Sequence, residues 1–203
     1  KGVSLFLVDT KSPGFTRGQN LEKIGQHAGD TSELFFNDLR VPADALLGGL
    51  EGQGFVQMMR ELPRERLIIG VQAVYGAKGA LDATVKYVQE RQAFGQAIGQ
   101  FQNTRFTLAQ CASDIAAAEA FLNASVAAYE RGELTPEAAS ALKLHTTEVM
   151  GRVADACLQL FGGYGYMAEY PISRFWTDAR VLRIYGGTSE IMKELVARSL
   201  LGR

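Results

Sequence analysis

The chain has 203 residues, 47% hydrophobic and 21% charged, a globular composition that excludes a disordered or collagen-like protein. At about 150 residues per domain the length corresponds to one domain and part of another. Twenty-one Lys and Arg against 22 Asp and Glu leave a net charge of −1, which argues against nucleic acid as the main partner because no excess charge meets its phosphates.

No apolar run reaches the ~18–20 residues of a membrane span. The only histidines are His27 and His145, so a His-rich zinc site is excluded and no metal site is expected. Cys111 and Cys157 both lie in apolar helical patterns. Two thiols make no disulfide framework and point to a reducing compartment.

Lys1 opens the strand-like run KGVSLFLVDT, with no initiator Met and no signal-peptide pattern. A domain rarely begins in the middle of a sheet, so the expectation is a piece of a longer protein. Val3, Leu5 and Leu7 alternate, Pro13-Gly14 makes a turn, and Glu33-Leu34-Phe35-Phe36-Asn37 alternates again before Leu39, Val41 and Pro42. Short strands in so few residues bury little core alone. Residues 1–47 therefore read as the remnant of an antiparallel β-domain.

From about Gly52 the period becomes helical, and 48–203 reads as an α-helical bundle domain. A first segment, Phe55 to Arg91, carries Leu67, Val71, Val74, Lys78 and Leu81. A second, Thr104 to Gly132, carries the stripe Leu108, Cys111, Ile115, Ala118, Leu122, Val126 and Tyr129. Arg131-Gly132 stops it. Thr135-Pro136-Glu137 opens a third, with Thr as N-cap and Pro in the first position. Its stripe is Ala138, Leu142, His145, Val149, Val153, Ala156 and Leu160, and Gly162-Gly163 ends it. His145 reads there as a core or interface residue, and His27 as a surface-loop residue. A short helix follows Pro171 and a last one runs from Thr188 to about Leu200. The fold class is mainly α.

Four clusters could carry chemistry. In Glu61-Leu62-Pro63-Arg64-Glu65-Arg66-Leu67 two carboxylates lie four apart, on one face if the helix continues through Pro63. A carboxylate bordering Leu67-Ile68-Ile69 would suit a general base; a solvated run of Glu–Arg pairs is the simpler explanation. Arg91-Gln92-Ala93-Phe94-Gly95 with Phe101-Gln102 offers a guanidinium and an aromatic for a phosphate and a planar ring, or merely a helix C-terminus. In Gln159-Leu160-Phe161-Gly162-Gly163-Tyr164-Gly165-Tyr166 the glycines let a backbone pass close to a ligand, or simply stop a helix. Tyr185-Gly186-Gly187-Thr188-Ser189-Glu190 presents free amides at a helix entry, or plain capping. Tyr164, Tyr166 and Trp176 read as packing residues, and Cys157 as a buried small hydrophobe.

In this order and spacing the clusters resemble the acyl-CoA dehydrogenase family. The likeness rests on Arg91-x-x-Phe94-Gly95, Phe101-Gln102, Gln159-x-x-Gly162-Gly163-x-Gly165-Tyr166, Asp178-Ala179-Arg180 and Tyr185-Gly186-Gly187-Thr188-Ser189-Glu190-Ile191. Asp30 to Phe36 and Arg40-Val41-Pro42 look like the end of that family's middle β-domain. The resemblance implies a four-helix-bundle C-terminal domain and FAD bound between domains, its adenosine end reaching a neighbouring subunit. It also implies a homotetramer built as a dimer of dimers. The implied reaction oxidises an acyl-CoA to the trans-2-enoyl-CoA and passes electrons to an electron-transfer flavoprotein. The compartment would be the cytoplasm in a bacterium or the mitochondrial matrix in a eukaryote.

The base departs from the family's majority pattern. Many members carry Glu where this chain has Gly186, which has no side chain to accept a proton. Isovaleryl-type and long-chain-type members have a small residue there and a Glu on the first long helix, which Glu65 matches here; Glu61 is second choice. By the same resemblance Arg91, Phe94, Gln102, Gln159, Phe161, Gly162, Gly163, Thr188 and Glu190 would contact FAD. Gly186 and Gly187 would line the thioester pocket, and Arg66 would contact CoA or form a structural salt bridge. In the family a flavin hydroxyl and a backbone N–H polarise the thioester carbonyl. An acyl-CoA oxidase-like enzyme and a silent helical association module are the alternatives. The 203-residue chain alone is expected to bind FAD weakly and to be inactive.

Overall fold

The computed structural model describes residues 2–202, so Lys1 of the opening run lies outside the described residues. Two units follow one another, divided in sequence between Leu62 and Pro63.

In the first unit β1 (Phe15–Asn20) pairs antiparallel with β2 (Ser32–Phe36), Phe15 opposite Phe36 and Arg17 opposite Leu34, with an irregularity between Arg17 and Asn20. Gly18 and Asn20 weaken the alternation of β1, so the sequence pattern does not announce it. The expected strand over Val3–Leu7 is not an extended ladder. It forms a bridge between Phe6 and Leu46, with Leu7 N donating to Ala45 O (2.9 Å) and Leu47 N to Leu5 O (2.8 Å). Most of this unit is exposed, including Phe6, Leu34, Phe35 and Phe36, as its size requires.

Helix α1 (Gly54–Glu90) continues through Pro63. A proline inside a helix removes one backbone bond and costs about 3 kcal/mol. In the second unit the helix buries Arg66, Leu67, Ile69, Ala73, Val74, Ala77, Ala80, Thr84 and Val88, while Val71 is exposed and Lys78 reaches Glu119 (2.7 Å). The buried face is thus displaced from the expected stripe, because small residues select it. A Cβ on Gly70 would lie 3.2 Å from Leu142, on Gly76 3.1 Å from Met150, and on Gly79 3.0 Å from Phe175. Small residues at these points permit the close approach of neighbouring helices.

A two-residue turn, Phe94-Gly95, joins β3 (Gln92–Ala93) to β4 (Gln96–Ala97). Helix α2 (Gln102–Glu130) buries Cys111, Ile115, Ala118 and Leu122, four of its expected stripe. Helix α3 (Pro136–Phe161) starts at the Thr135 cap, whose hydroxyl accepts from Ala138 N at 3.2 Å. It packs against α2, against α4 (Pro171–Leu182) and against α5 (Ser189–Leu200). Contact on so many sides buries far more than one stripe: Lys143, Thr146, Thr147, Met150, Ala154 and Cys157 join Leu142, Val149 and Val153. His145 falls outside that face. It is exposed on this chain, with its ring 6.1 Å from Phe121, so of the core and interface placements expected for it the core one does not hold. Cys111 and Cys157 are both buried, and the hydrogen bond between them, then burial, pushes the Cys111 thiol up. That suits a packing role.

Leu142 is fully buried where α1 meets α3. Leu142→Ala is expected to lower stability by about 3 kcal/mol. Chemical denaturation measures it, and a loss below about 1 kcal/mol would show that the gap collapses around a much looser core than this packing describes.

Candidate functional site

Two groups of side chains assemble in the second unit. The first surrounds the connection 183–188 between α4 and α5. Arg66 of α1 is buried; its Nε donates to Gly186 O (3.3 Å) and its Nη1 to Ser140 Oγ (3.1 Å). Ser140 in turn donates to Pro136 O (2.6 Å). Lys143 of α3 is completely buried, and its Nζ donates to Leu182 O (3.0 Å) and Gly187 O (2.6 Å). Glu148, five residues on, accepts from Ser189 Oγ (2.8 Å) and Arg183 Nη1 (3.4 Å). Ser189 N closes the connection onto Arg183 O (3.1 Å).

The conformation of this turn favours glycine. Gly186 has φ +65, and a Cβ there would lie 2.5 Å from Ile69 Cδ1. At Gly187 a Cβ would lie 2.6 Å from Met192 Cε. Among the described residues no hydrogen bond engages the amides of Gly186, Gly187 or Thr188. Thr188 caps α5, its hydroxyl accepting from Ile191 N (3.4 Å). Glu190 in the first turn is held below the usual carboxylate range by its own backbone amide and by the Thr188 hydroxyl. Glu65 is exposed on α1, one residue before the buried Arg66. Burial lowers the Arg66 guanidinium from its ordinary value, and the Glu65 charge opposes that shift. Glu61 is an exposed α1 residue of the first unit.

The second group forms a groove of about 570 Å³ lined by Tyr87, Arg91, Gln159, Phe161, Gly162 and Gly163, with Tyr164 at its side. The rings of Tyr87 and Phe161 stack at 4.0 Å and 14°. Tyr87 also donates to Phe161 O (3.3 Å), and burial pushes its hydroxyl up. The Arg91 guanidinium lies 5.3 Å from the Tyr164 ring centre. Gly162 leaves the helix with φ +59 and ψ −137, a combination only glycine adopts freely. Gly163 has a negative φ, and a Cβ on it would meet nothing within 4 Å. No contact within this chain therefore calls for glycine at 163.

Phe94 and Gln102 are not among the groove's lining residues. Phe94 stands at the hairpin tip with φ +52 and is 95% exposed; Gln102 is exposed at the start of α2. Thr188 and Glu190 belong to the first group. Arg66, read from sequence as a CoA contact or a structural bridge, directs both of these hydrogen bonds to its own chain.

The profile of the acyl-CoA dehydrogenase C-terminal domain matches residues 52–201. The chain belongs to the acyl-CoA dehydrogenase family. It is 46% identical over 200 residues to the mitochondrial long-chain specific acyl-CoA dehydrogenase of Sus scrofa, covering 98% of this chain and 46% of that protein. The crystal structure of an acyl-CoA dehydrogenase from Geobacillus kaustophilus superposes with a TM-score of 0.94 at 44% identity, covering 97% of this chain and 52% of that one. A glutaryl-CoA dehydrogenase from Mycobacterium smegmatis in complex with FADH2 gives a TM-score of 0.94 at 29% identity, covering 100% and 52%. The chain thus spans about half the length of the relatives it matches.

The chemistry of this groove suits a nucleotide. A guanidinium suits the phosphates, a stacked ring wall suits a planar base, and bare backbone at Gly163 admits close approach. Sequence reasoning missed Tyr87 and Lys143 and treated Tyr164 as packing. The signal for Lys143 is its phase: it shares a helix face with Ala139, Thr146 and Met150, all of which are buried.

Burial first, and then the Arg66 charge, hold Lys143 down to about 8, with Glu148 acting the other way. The unfolded chain keeps its lysine at the ordinary value of 10.5. Between these values the unfolded state binds more protons, so stability rises with pH. Denaturation midpoints measured from neutral pH upward through that window should climb more steeply for the natural chain than for Lys143→Met. Parallel curves would show that Lys143 does not titrate in this way.

Proposed function

We propose that the whole protein carrying this chain is an FAD-dependent acyl-CoA dehydrogenase that removes the α-proton with Glu65. The observation that carries this reading is the bond from Arg66 to Gly186 O at 3.3 Å. It ties the residue next to Glu65 to the turn where a majority-type base would stand. In this reading the carboxylate is offered from α1, beside the residue that reaches this turn. A base offered from the helix needs no side chain on the turn, and Gly186 has none.

In this reading the Glu65 carboxylate takes the proton from the carbon next to the thioester carbonyl. That carbon is weakly acidic, so the carbonyl oxygen must be polarised by positioned donors. The amides of the Gly186-Gly187-Thr188 turn are available for this, because no other described group uses them. Gly186 and Gly187 line the thioester pocket in this reading. Arg91, Gln159, Phe161, Gly162 and Gly163 hold the nucleotide end of FAD, with Phe94 and Gln102 contributing from the hairpin tip and the α2 start. Thr188 and Glu190 contact the flavin side. FAD, when bound, supplies the acceptor for the hydride that leaves the β-carbon. Glu61 is second choice as base. Electrons pass to an electron-transfer flavoprotein, the subunits assemble as a dimer of dimers, and the compartment is the bacterial cytoplasm or the mitochondrial matrix.

Anaerobic addition of saturated acyl-CoAs to the FAD-loaded whole protein should bleach the visible flavin absorbance. Glu65→Gln should slow bleaching about 100-fold or more while FAD stays bound. Bleaching at the natural rate in that variant would move the base elsewhere, Glu61 first.

A further inference from the structure

Resting on that reading, we propose that Lys143 is a positioning residue for the reaction: it fixes the peptide planes of the Gly186-Gly187 turn from inside the helical bundle. Lys143 is completely buried, yet its ammonium has no carboxylate among its hydrogen-bond partners. Burying a cation costs several kcal/mol, and an apolar residue of similar size would fill the space at lower cost. What an apolar residue cannot do is donate hydrogen bonds.

The two acceptors lie at opposite ends of one short connection. Leu182 is the last residue of α4, and Gly187 is the second glycine of the turn. One nitrogen thus gathers two carbonyls that are five residues apart and draws residues 183–186 into a loop over it. Arg66 holds the intervening Gly186 O. Glu148, on the same helix as Lys143, fastens Arg183 and Ser189 at the flanks. The connection is therefore held from α3 at both ends and from α1 in the middle.

This fastening has a directional consequence. In a trans peptide the C=O of one residue points opposite to the N–H of the next. Anchoring Gly186 O and Gly187 O inward therefore turns the amides of Gly187 and Thr188 outward. Those amides have no partner among the described residues. A glycine pair has wide conformational freedom of its own, so the orientation has to be imposed by its surroundings. Lys143 and Arg66 impose it from inside the bundle.

The test uses the FAD-loaded whole protein and rapid anaerobic mixing with a saturated acyl-CoA. Lys143→Met keeps the length and apolar volume and removes the donors. The bleaching rate at saturating acyl-CoA should fall about tenfold or more, since small misplacements at a reacting centre are expensive in rate. The acyl-CoA dissociation constant and FAD content should change far less. Lys143→Gln, which retains a donor, should fall between. If Lys143→Met does not fold, Ser189→Ala unties the Glu148 end of the same connection and should slow bleaching by about threefold, a smaller shift than full loss of the ammonium. A folded, FAD-loaded Lys143→Met that bleaches at the natural rate overturns the proposal. So does a loss confined to binding, or a Ser189→Ala of natural rate where Lys143→Met cannot be folded. Glu65→Gln run alongside separates the two levels. If that variant bleaches normally the base assignment fails, whereas a silent Glu65→Gln beside a normal Lys143→Met removes only the role of Lys143.

Discussion

Arg66 and Lys143 both end on backbone carbonyls of the short connection between α4 and α5. Much of the candidate site depends on that convergence. Neither cation reaches a carboxylate through these bonds, so each is stabilised by oriented peptide dipoles and by the low cost of desolvating a carbonyl already turned inward. The arrangement requires four helices at once. α1 delivers Arg66, α3 delivers Lys143 and Glu148, and α4 and α5 supply the ends of the connection. Packing of the bundle and geometry of the turn are therefore the same problem. The turn cannot be rebuilt locally without leaving a buried cation unpaired, which is among the most destabilising changes a core can suffer.

The groove around Arg91 obeys a different logic. Its walls are an internal stack, Tyr87 on Phe161, and its floor is the bare backbone leaving α3 at Gly162-Gly163. The same stretch of chain ends a helix and exposes unhindered peptide to a ligand. Helix termination explains Gly162, whose backbone only glycine adopts freely. It does not explain Gly163, which a side chain could occupy as far as this chain is concerned. Gln159 and Phe161 of the groove and the Lys143 that holds the turn come from different ends of α3, so one helix reaches both.

The long helices were legible in the sequence because their signals were redundant. Thr135-Pro136 and Arg131-Gly132 mark the ends of α3 and α2, and the stripe of α2 reappears as Cys111, Ile115, Ala118 and Leu122 in the core. The stripe of α3 was only partly legible. A helix with neighbours on several sides buries residues outside any single stripe, and so Lys143 was hidden while His145, on the expected stripe, falls outside the core. The face of α1 was set by Gly70, Gly76 and Gly79, residues that carry little hydrophobicity and hence little periodic signal. β1 lacked alternation, and the Val3–Leu7 run had alternation without a full ladder. At the site, motif residues in the Gln159–Gly163 stretch and Arg91 come together in one groove, whereas Phe94, Gln102, Thr188 and Glu190 lie elsewhere. Hydrogen bonds between distant elements, such as Arg66 to Gly186, leave no local pattern at all.

The central chemical claim concerns one proton, so the most direct measurement follows that proton. The FAD-loaded whole protein is incubated anaerobically in deuterated water with an acyl-CoA analogue whose β-position cannot give up hydride, and deuterium at the α-carbon is followed by NMR. Natural protein should exchange the α-hydrogen, and Glu65→Gln should exchange it about 100-fold more slowly or not at all. Equal exchange in the two proteins would contradict Glu65 as the base.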